Sequence, residues 1–269
     1  MDPSGKVALI TGAGSGIGRA TALLLAENGA SIVVADINES GGHETVKMVK
    51  AAGGEAAFVR ADVRSRDDVA AMVAFTKETY GGLDIAYNNA GVGTPGPRFP
   101  EAKAEDWERT FMIDLLAVVA CVQAQVPAMK ERGGGVIIST ASIAGLMGYM
   151  PDPIYAAAKH GVVGLTRSME FLQAEANIRV NCVCPGVVDT PMVRQVRDNA
   201  DPQARAQAEA MLAAMPLMEP RTIAEAVLDL IRDDSANGRA MAITYGRPAR
   251  EVEASIRFGR PDPAQQRRG

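Results

Sequence analysis

The sequence predicts an α/β fold, a doubly wound parallel sheet with helices on both faces. Three observations predict it. Short apolar runs alternate with amphipathic stretches along the whole chain. The runs are apolar throughout, with little polar alternation, as expected of strands buried on both faces. A glycine-rich turn joins the first run to the first amphipathic stretch in KVALITGAGSGIG, residues 6–18.

In order, strands are predicted at 6–11 (KVALIT), 31–36 (SIVVAD), 56–61 (AAFVRA), 83–88 (LDIAYN), 135–139 (GVIIS), 179–184 (RVNCVC) and 240–244 (AMAIT). Helices are predicted between them, near 17–28, 40–52, 66–80, 104–131, 153–175 and 221–233. Seven parallel strands with right-handed crossovers make one domain over 1–245. Two segments break the rhythm. Residues 189–218 are longer than the usual connection between a strand and a helix, and an insertion at a strand's carboxyl end is placed to cover a ligand. The tail at 246–269 is arginine-rich, with arginines at 247, 250, 257, 260, 267 and 268, and reads as an extension or a subunit-packing segment.

Composition narrows the function. Of the 269 residues, 47% are hydrophobic and 22% charged, and the net charge is −4. That balance argues against a nucleic-acid or anionic-membrane surface. No uninterrupted apolar run reaches the roughly 18 to 20 residues of a membrane span. The N-terminal stretch lacks the basic, apolar and cleavage regions of a secretory signal, so a cytoplasmic location is expected. Cys121, Cys182 and Cys184 form no disulfide framework, and with only two histidines no metal site is expected.

Gly12, Gly16 and Gly18 follow the first strand and open a helix, with Ser15 and Ile17 between them. Glycine permits positive φ in such a turn and lets backbone N–H groups approach a pyrophosphate, which the helix N-terminus further favours. Asp36 ends the second strand, next to Ile37. A carboxylate about 20 residues past the glycines accepts hydrogen bonds from the adenosine ribose hydroxyls and repels a 2′-phosphate. No arginine or lysine stands beside it in ADINES, so NAD is the expected cofactor.

Tyr155 and Lys159 are four apart in a predicted helix and therefore share one face. A lysine cation near a phenol stabilises phenolate and lowers the tyrosine pKa towards working pH, as a general acid–base requires. Ser142, just after the fifth strand, offers a hydroxyl to a substrate oxygen on which charge develops.

TGAGSGIG, NNAG at 88–91, the serine before YAAAK, and CPG at 184–186 together resemble the short-chain dehydrogenase/reductases, in order and spacing, over about residues 5–245. The resemblance implies a single-domain Rossmann-type fold, a nicotinamide cofactor, a small-molecule substrate and a homotetramer or homodimer. It implies Tyr155 as acid–base, Lys159 as ribose holder and tuner of Tyr155, and Ser142 as substrate-orienting group. Asp62 and Val63 would flank the adenine. Asn89, Ala90 and Gly91 would lie along the adenosine ribose. Pro185, Gly186, Val188 and Thr190 would cover the nicotinamide.

Two departures stand out. Where the family usually has an asparagine on its long helix, this chain has Asp114, in FMIDLLAVV. A carboxylate there keeps the helix kink but adds negative charge near Lys159. The last strand also runs into AITYGRPAR instead of an aspartate–glycine–glycine turn, which affects C-terminal packing. Candidate pocket residues are Ile143, Ala144, Met147, Tyr149, Met150, Val187, Met192, Met211, Met215 and Met218; no arginine is clearly placed to bind a carboxylate, Arg98, Arg194 and Arg197 being the ones to consider. The expected reaction interconverts a secondary alcohol and a ketone on an apolar skeleton. Lyases or isomerases of the same fold, and nicotinamide-sensing regulators, are the alternatives. An intact glycine turn, Ser142, Tyr155 and Lys159 count against both.

Overall fold

A computed structural model describes residues 1–197, 206, 210 and 216–254. Among these residues eight strands form one sheet, ordered β3-β2-β1-β4-β5-β6-β7-β8. All seven expected strands are present and parallel: β1 (Val7–Thr11), β2 (Ser31–Asp36), β3 (Glu55–Arg60), β4 (Ile85–Asn88), β5 (Gly135–Thr140), β6 (Ile178–Pro185) and β7 (Ala240–Ile243). The eighth, β8 (Arg250–Glu251), was not expected. It runs antiparallel to β7 at the sheet edge, and two exposed charged residues carry no apolar pattern to betray a strand.

Successive residues of a strand point to opposite faces, and the two cores follow from that. Ile10, Ile32 and Val34 pack with Leu25 of α1 (Gly16–Glu27), Val49 of α2 (Glu39–Ala51), and Val227 and Ile231 of a late helix, Pro220–Arg232. Leu9, Val33 and Ile137 face the other way. They meet Val69 and Met72 of α3 (Arg66–Tyr80) and Cys121, Val122 and Met129 of α5 (Ala117–Glu131). Val162 and Val163 of α6 (Pro153–Ser168) join Cys182 and Cys184 on that same side. Every residue of β1 and β6 is buried; β1 is apolar up to Thr11, and in β6 the buried Arg179 and Asn181 are met by the carbonyls of Leu230, Ile231 and Ala236.

Two expected helices are interrupted. The stretch 104–131 is three pieces, α4 (Ala104–Phe111), a π-helical turn (Met112–Leu116) and α5. A π turn holds one extra residue, which leaves no trace in a 3.6-residue pattern. Here it carries Asp114 inward, where it is fully buried. The stretch 153–175 breaks at Met169 and Glu170 into α6 and α7 (Phe171–Ala176). Ala104–Glu131 is also long and apolar enough, by length and composition, to cross a membrane, which the search for an unbroken apolar run missed. Its inner residues pack in the sheet core described above.

The insertion after β6 begins with α8 (Pro191–Arg197), and its ends meet in a parallel bridge between Val188 and Met218. Met211, Met215, the Arg197 side chain and Arg257, Arg260, Arg267 and Arg268 lie outside the described residues.

One buried polar contact ties the long helix to the sheet. The Gln125 amide nitrogen donates to Asn88 Oδ1 at 2.8 Å, and the Asn88 amide donates back to Gln125 Oε1 at 3.1 Å. Gln125→Leu should leave the Asn88 amide unpaired in the core and cost about 1–3 kcal/mol of unfolding free energy. A urea melt of the variant checks this; an unchanged midpoint and slope would show that the pair contributes nothing net.

Candidate functional site

All the expected site residues cluster at the carboxyl ends of the parallel strands, where the strand order reverses between β1 and β4. The first group is the turn from β1 to α1. Gly12 and Gly16 have φ of 62° and 51°, the left-handed region that glycine enters without strain. A Cβ on Gly12 would stand 2.9 Å from Ala90 Cα, and one on Gly18 would stand 2.3 Å from the Gly12 carbonyl oxygen. One on Gly16 would meet Thr190 Cγ2 at 3.1 Å, so Thr190 is placed directly over the turn. At its N-terminus α1 has no side-chain cap and no acidic residue in its first turn, whereas α2, α3 and α6 are capped by Asn38, Ser65 and Asp152. This is a cradle of close backbone and free N–H groups, and it fits a dinucleotide pyrophosphate.

Asp36 stands against the turn. Its carboxylate accepts from Gly14 N at 2.7 Å and from Asn38 N at 2.8 Å, and Ile37 beside it is exposed. The expectation of no neighbouring cation holds for ADINES but not for the fold. Arg60 lies in register with Asp36 and is drawn to Glu39 at 3.4 Å, while Arg19 donates to the carbonyls of Gly14 and Gly41 and to Thr45 Oγ1. Arg19 thus pins the glycine turn to α2, a role the sequence did not reveal. Asp62 follows β3. Its carboxyl is held below the usual range, mainly by hydrogen bonding to Arg64. Val63 lines a small void with Ala90 and Thr11.

Asn89 and Gly91 each have a structural role beside their expected place in the cofactor site. The Asn89 amide donates to the carbonyls of Thr11 and Gly12, and its oxygen accepts from Thr140 Oγ1, so it fastens β1, β4 and β5 together. Gly91 lies beside Lys159 and Asp114; a Cβ there would stand 3.4 Å from Lys159 Nζ. The absence of a side chain leaves room for that pair beside Gly91.

That centre brings four groups together. Lys159 is buried on α6 with its ammonium 5.4 Å from the centre of the Tyr155 ring. It donates to the Thr140 carbonyl at 3.0 Å and lies 3.1 Å from Asp114 Oδ2. The other Asp114 oxygen accepts from Val92 N at 2.8 Å. Ser142 is buried, accepts from Ala144 N at 3.1 Å and donates to the Pro185 carbonyl at 3.5 Å, and its hydroxyl favours the Tyr155 phenolate. Nevertheless the Tyr155 phenol is pushed up from its ordinary value, not down as the Lys159 spacing suggested. Burial is the main cause, Lys159 opposes it, and Asp114 adds to it. For Lys159, burial favours the neutral amine, yet the Asp114 carboxylate and the Tyr155 phenol outweigh it and raise the pKa. Asp114 is raised by burial, with Lys159 pulling the other way.

Gly186 N donates to the Ile243 carbonyl at 2.8 Å, which holds the segment after Pro185 beside β7. Ile143 and Met218 converge on Gly186, and Val188 and Ala144 are buried with them. Val187 is half-buried. Met147, Tyr149, Met150 and Met192 are exposed. Arg194 is paired with Asp189 at 2.9 Å, and Arg98 donates to the Met150 carbonyl at 3.3 Å.

Sequence comparison agrees with the geometry. The family model described as short chain dehydrogenase matches residues 6–201. A cyclohexanol dehydrogenase of Acinetobacter sp. (strain SE19) is 41% identical over 86% of this chain and 89% of its own. A 2,5-dichloro-2,5-cyclohexadiene-1,4-diol dehydrogenase of Sphingobium indicum is 44% identical over 74% of this chain and 78% of its own. The crystal structure of levodione reductase superposes with a TM-score of 0.82 at 32% identity, covering 90% of this chain and 96% of that one. The chain belongs to the short-chain dehydrogenase family, whose dehydrogenases use nicotinamide cofactors and act on CH–OH groups. A Gly18→Ala substitution should push the Gly12 carbonyl out of place and weaken binding of reduced nicotinamide cofactor by about tenfold or more, equivalent to about 1.4 kcal/mol. Fluorescence titration measures it; undiminished affinity would show that the turn does not hold the dinucleotide.

Proposed function

We propose that this protein is an NAD(H)-dependent oxidoreductase that interconverts a secondary alcohol and a ketone on an apolar, cyclic substrate. The observation that carries the reading is Tyr155, Lys159 and Ser142 grouped at the carboxyl edge, beside the glycine cradle. Tyr155 is the general acid–base, Ser142 orients the substrate oxygen, and Lys159 biases the phenol and is the residue to hold the nicotinamide ribose. Gly12, Ser15, Gly16, Ile17 and Gly18 would hold the pyrophosphate, and Pro185, Gly186, Val188 and Thr190 the nicotinamide end. When bound, the nicotinamide accepts or gives the hydride. In oxidation the Tyr155 phenolate takes the substrate hydroxyl proton; in reduction the phenol returns it. Ser142 steadies the substrate oxygen as charge changes on it.

Asp36 supports NAD over its phosphorylated form. Its carboxylate would face a 2′-phosphate, while Arg60 and Arg19 are engaged elsewhere. The apolar, methionine-rich rim (Met147, Met150 and Met192) suits an apolar skeleton. The names of similar relatives, for cyclohexanol and a cyclohexadiene diol, favour a six-membered ring. A cytoplasmic location is proposed with this, consistent with three free, buried cysteines.

Purified protein with NAD+ and cyclohexanol should generate reduced cofactor, with NAD(H) bound about tenfold tighter than NADP(H) or more. Tyr155→Phe should remove nearly all turnover and leave NADH binding close to normal. Equal affinity for the two cofactors removes the NAD assignment, and substantial turnover in the phenylalanine variant assigns the proton transfer to another residue.

A homotetramer, or a dimer on the same faces, is proposed with this function. On the two long helices, Val118, Cys121, Ala158 and Val162 are spent on the chain's own core. What remains exposed is a stripe at helical spacing, Met112 (40%), Leu116 (49%) and Val119 (41%), an apolar face suited to a second copy. Sedimentation should report an assembly at micromolar concentration; a monomer there rules it out.

A further inference from the structure

Two carboxylates each join the segment after β4 to helix α6. Asp114 accepts from Val92 N through Oδ1 and contacts Lys159 Nζ through Oδ2, at 2.8 and 3.1 Å. Asp152 accepts from Thr94 N through Oδ2 and from the Tyr155 backbone N–H through Oδ1, both at 2.9 Å. Residues 92–94 are therefore stitched at one end to Lys159 and at the other to the first turn of the helix that presents Tyr155. Asp114 is fully buried, and its Oδ2 has no hydrogen-bond partner apart from the ion pair. Four residues beyond Thr94, Arg98 donates to the Met150 carbonyl, so the same segment borders the rim near the site.

Resting on the reading of Tyr155 given above, we propose that Asp114 and Asp152 are paired positioning residues that tie the 92–94 segment to Lys159 and Tyr155 and govern proton exchange at Tyr155. The groups around the phenol are few and named. From its own helix come Lys159 and Asp152, from the π turn Asp114, from the end of β5 Ser142, and from the preceding loop Tyr149. Around Lys159 stand Asp114, Tyr155, the Thr140 carbonyl and Cys184. Of these, Lys159 and Ser142 favour the phenolate, while Asp114 and Asp152 disfavour it, in the same direction as burial. Asp114 acts twice, by its own charge and by balancing the lysine cation. Oxidation needs the phenolate and reduction the phenol. With both carboxylates in place, reduction runs through the neutral range and oxidation rises only at alkaline pH.

A carboxylate is also what the geometry requires. Each one accepts from a backbone N–H in the 92–94 segment with one oxygen and meets a second donor with the other. An asparagine offers a single acceptor oxygen, so Asp152→Asn leaves either Thr94 N or Tyr155 N without its partner.

The test is a tyrosinate absorbance titration, in which the difference between wild type and Tyr155→Phe isolates Tyr155 from the other tyrosines. It is repeated with Asp114→Asn, Asp152→Asn and the double variant. Asp152→Ser is added because serine keeps a helix cap while losing the charge. The Tyr155 midpoint should fall by about half a pH unit or more in each single variant and further in the double. The alkaline limb of cyclohexanol oxidation should move the same way. If turnover drops at every pH while the midpoint stays at the wild-type value, the carboxylates are structural only and the proposal is overturned. Turnover surviving in Tyr155→Phe would instead defeat the acid–base reading, and the titration would still report whether the carboxylates govern the phenol.

Discussion

Parallel strands buried on both faces impose the layout of this molecule. Their side chains are committed to the two cores, and every connection must leave from one edge and return to the other. Chemistry can therefore collect only where strands end, and at the carboxyl edge each strand delivers one short polar segment. Gly12 comes after β1, Asp36 at the end of β2, Asp62 after β3, Asn89 after β4, Ser142 after β5 and Gly186 after β6. Asn89 shows how tight this convergence is, since one side chain bonds to groups from β1 and β5 while standing at the end of β4.

Within that edge the most demanding group is the buried Lys159 ammonium. A cation out of water persists only if its hydrogen bonds and its charge are met. The Thr140 carbonyl meets the first need and Asp114 the second. The arrangement works only because the π turn aims Asp114 inward and because Gly91 has no side chain to occupy the space. Removing either partner of such a pair would strand a charge in the interior, so the helix bulge, the glycine and the ion pair form one unit.

Much of this was legible in the sequence. Continuous apolar runs located all seven parallel strands, and the glycine turn, Asp36, Ser142, Tyr155 and Lys159 fall where their spacing put them. Other features were hidden for identifiable reasons. The π turn adds one residue without disturbing composition, and β8 is too short and too polar to register. Arg19, next to the glycine turn, and Arg60, on β3, stand far in sequence from ADINES, so that local text could not announce them. The direction of the Tyr155 shift depends on burial, which spacing does not encode. Asp152 drew no notice in the sequence, because its bond to Thr94 exists only where the fold brings residues 58 apart into contact.

The bridge between Val188 and Met218 is a boundary. It closes the base of the insertion with backbone hydrogen bonds, Met218 N to the Val187 carbonyl and Asp189 N to the Met218 carbonyl. The two ends are thereby fixed, and each doubling of a flexible loop's length adds only about 0.6 kcal/mol of closure entropy. A chain between such fixed ends can thus lengthen or shorten by small steps while the sheet and the groups at its carboxyl edge stay where they are. The bridge keeps a change of length between its two residues from reaching the sheet and the buried Lys159–Asp114 pair.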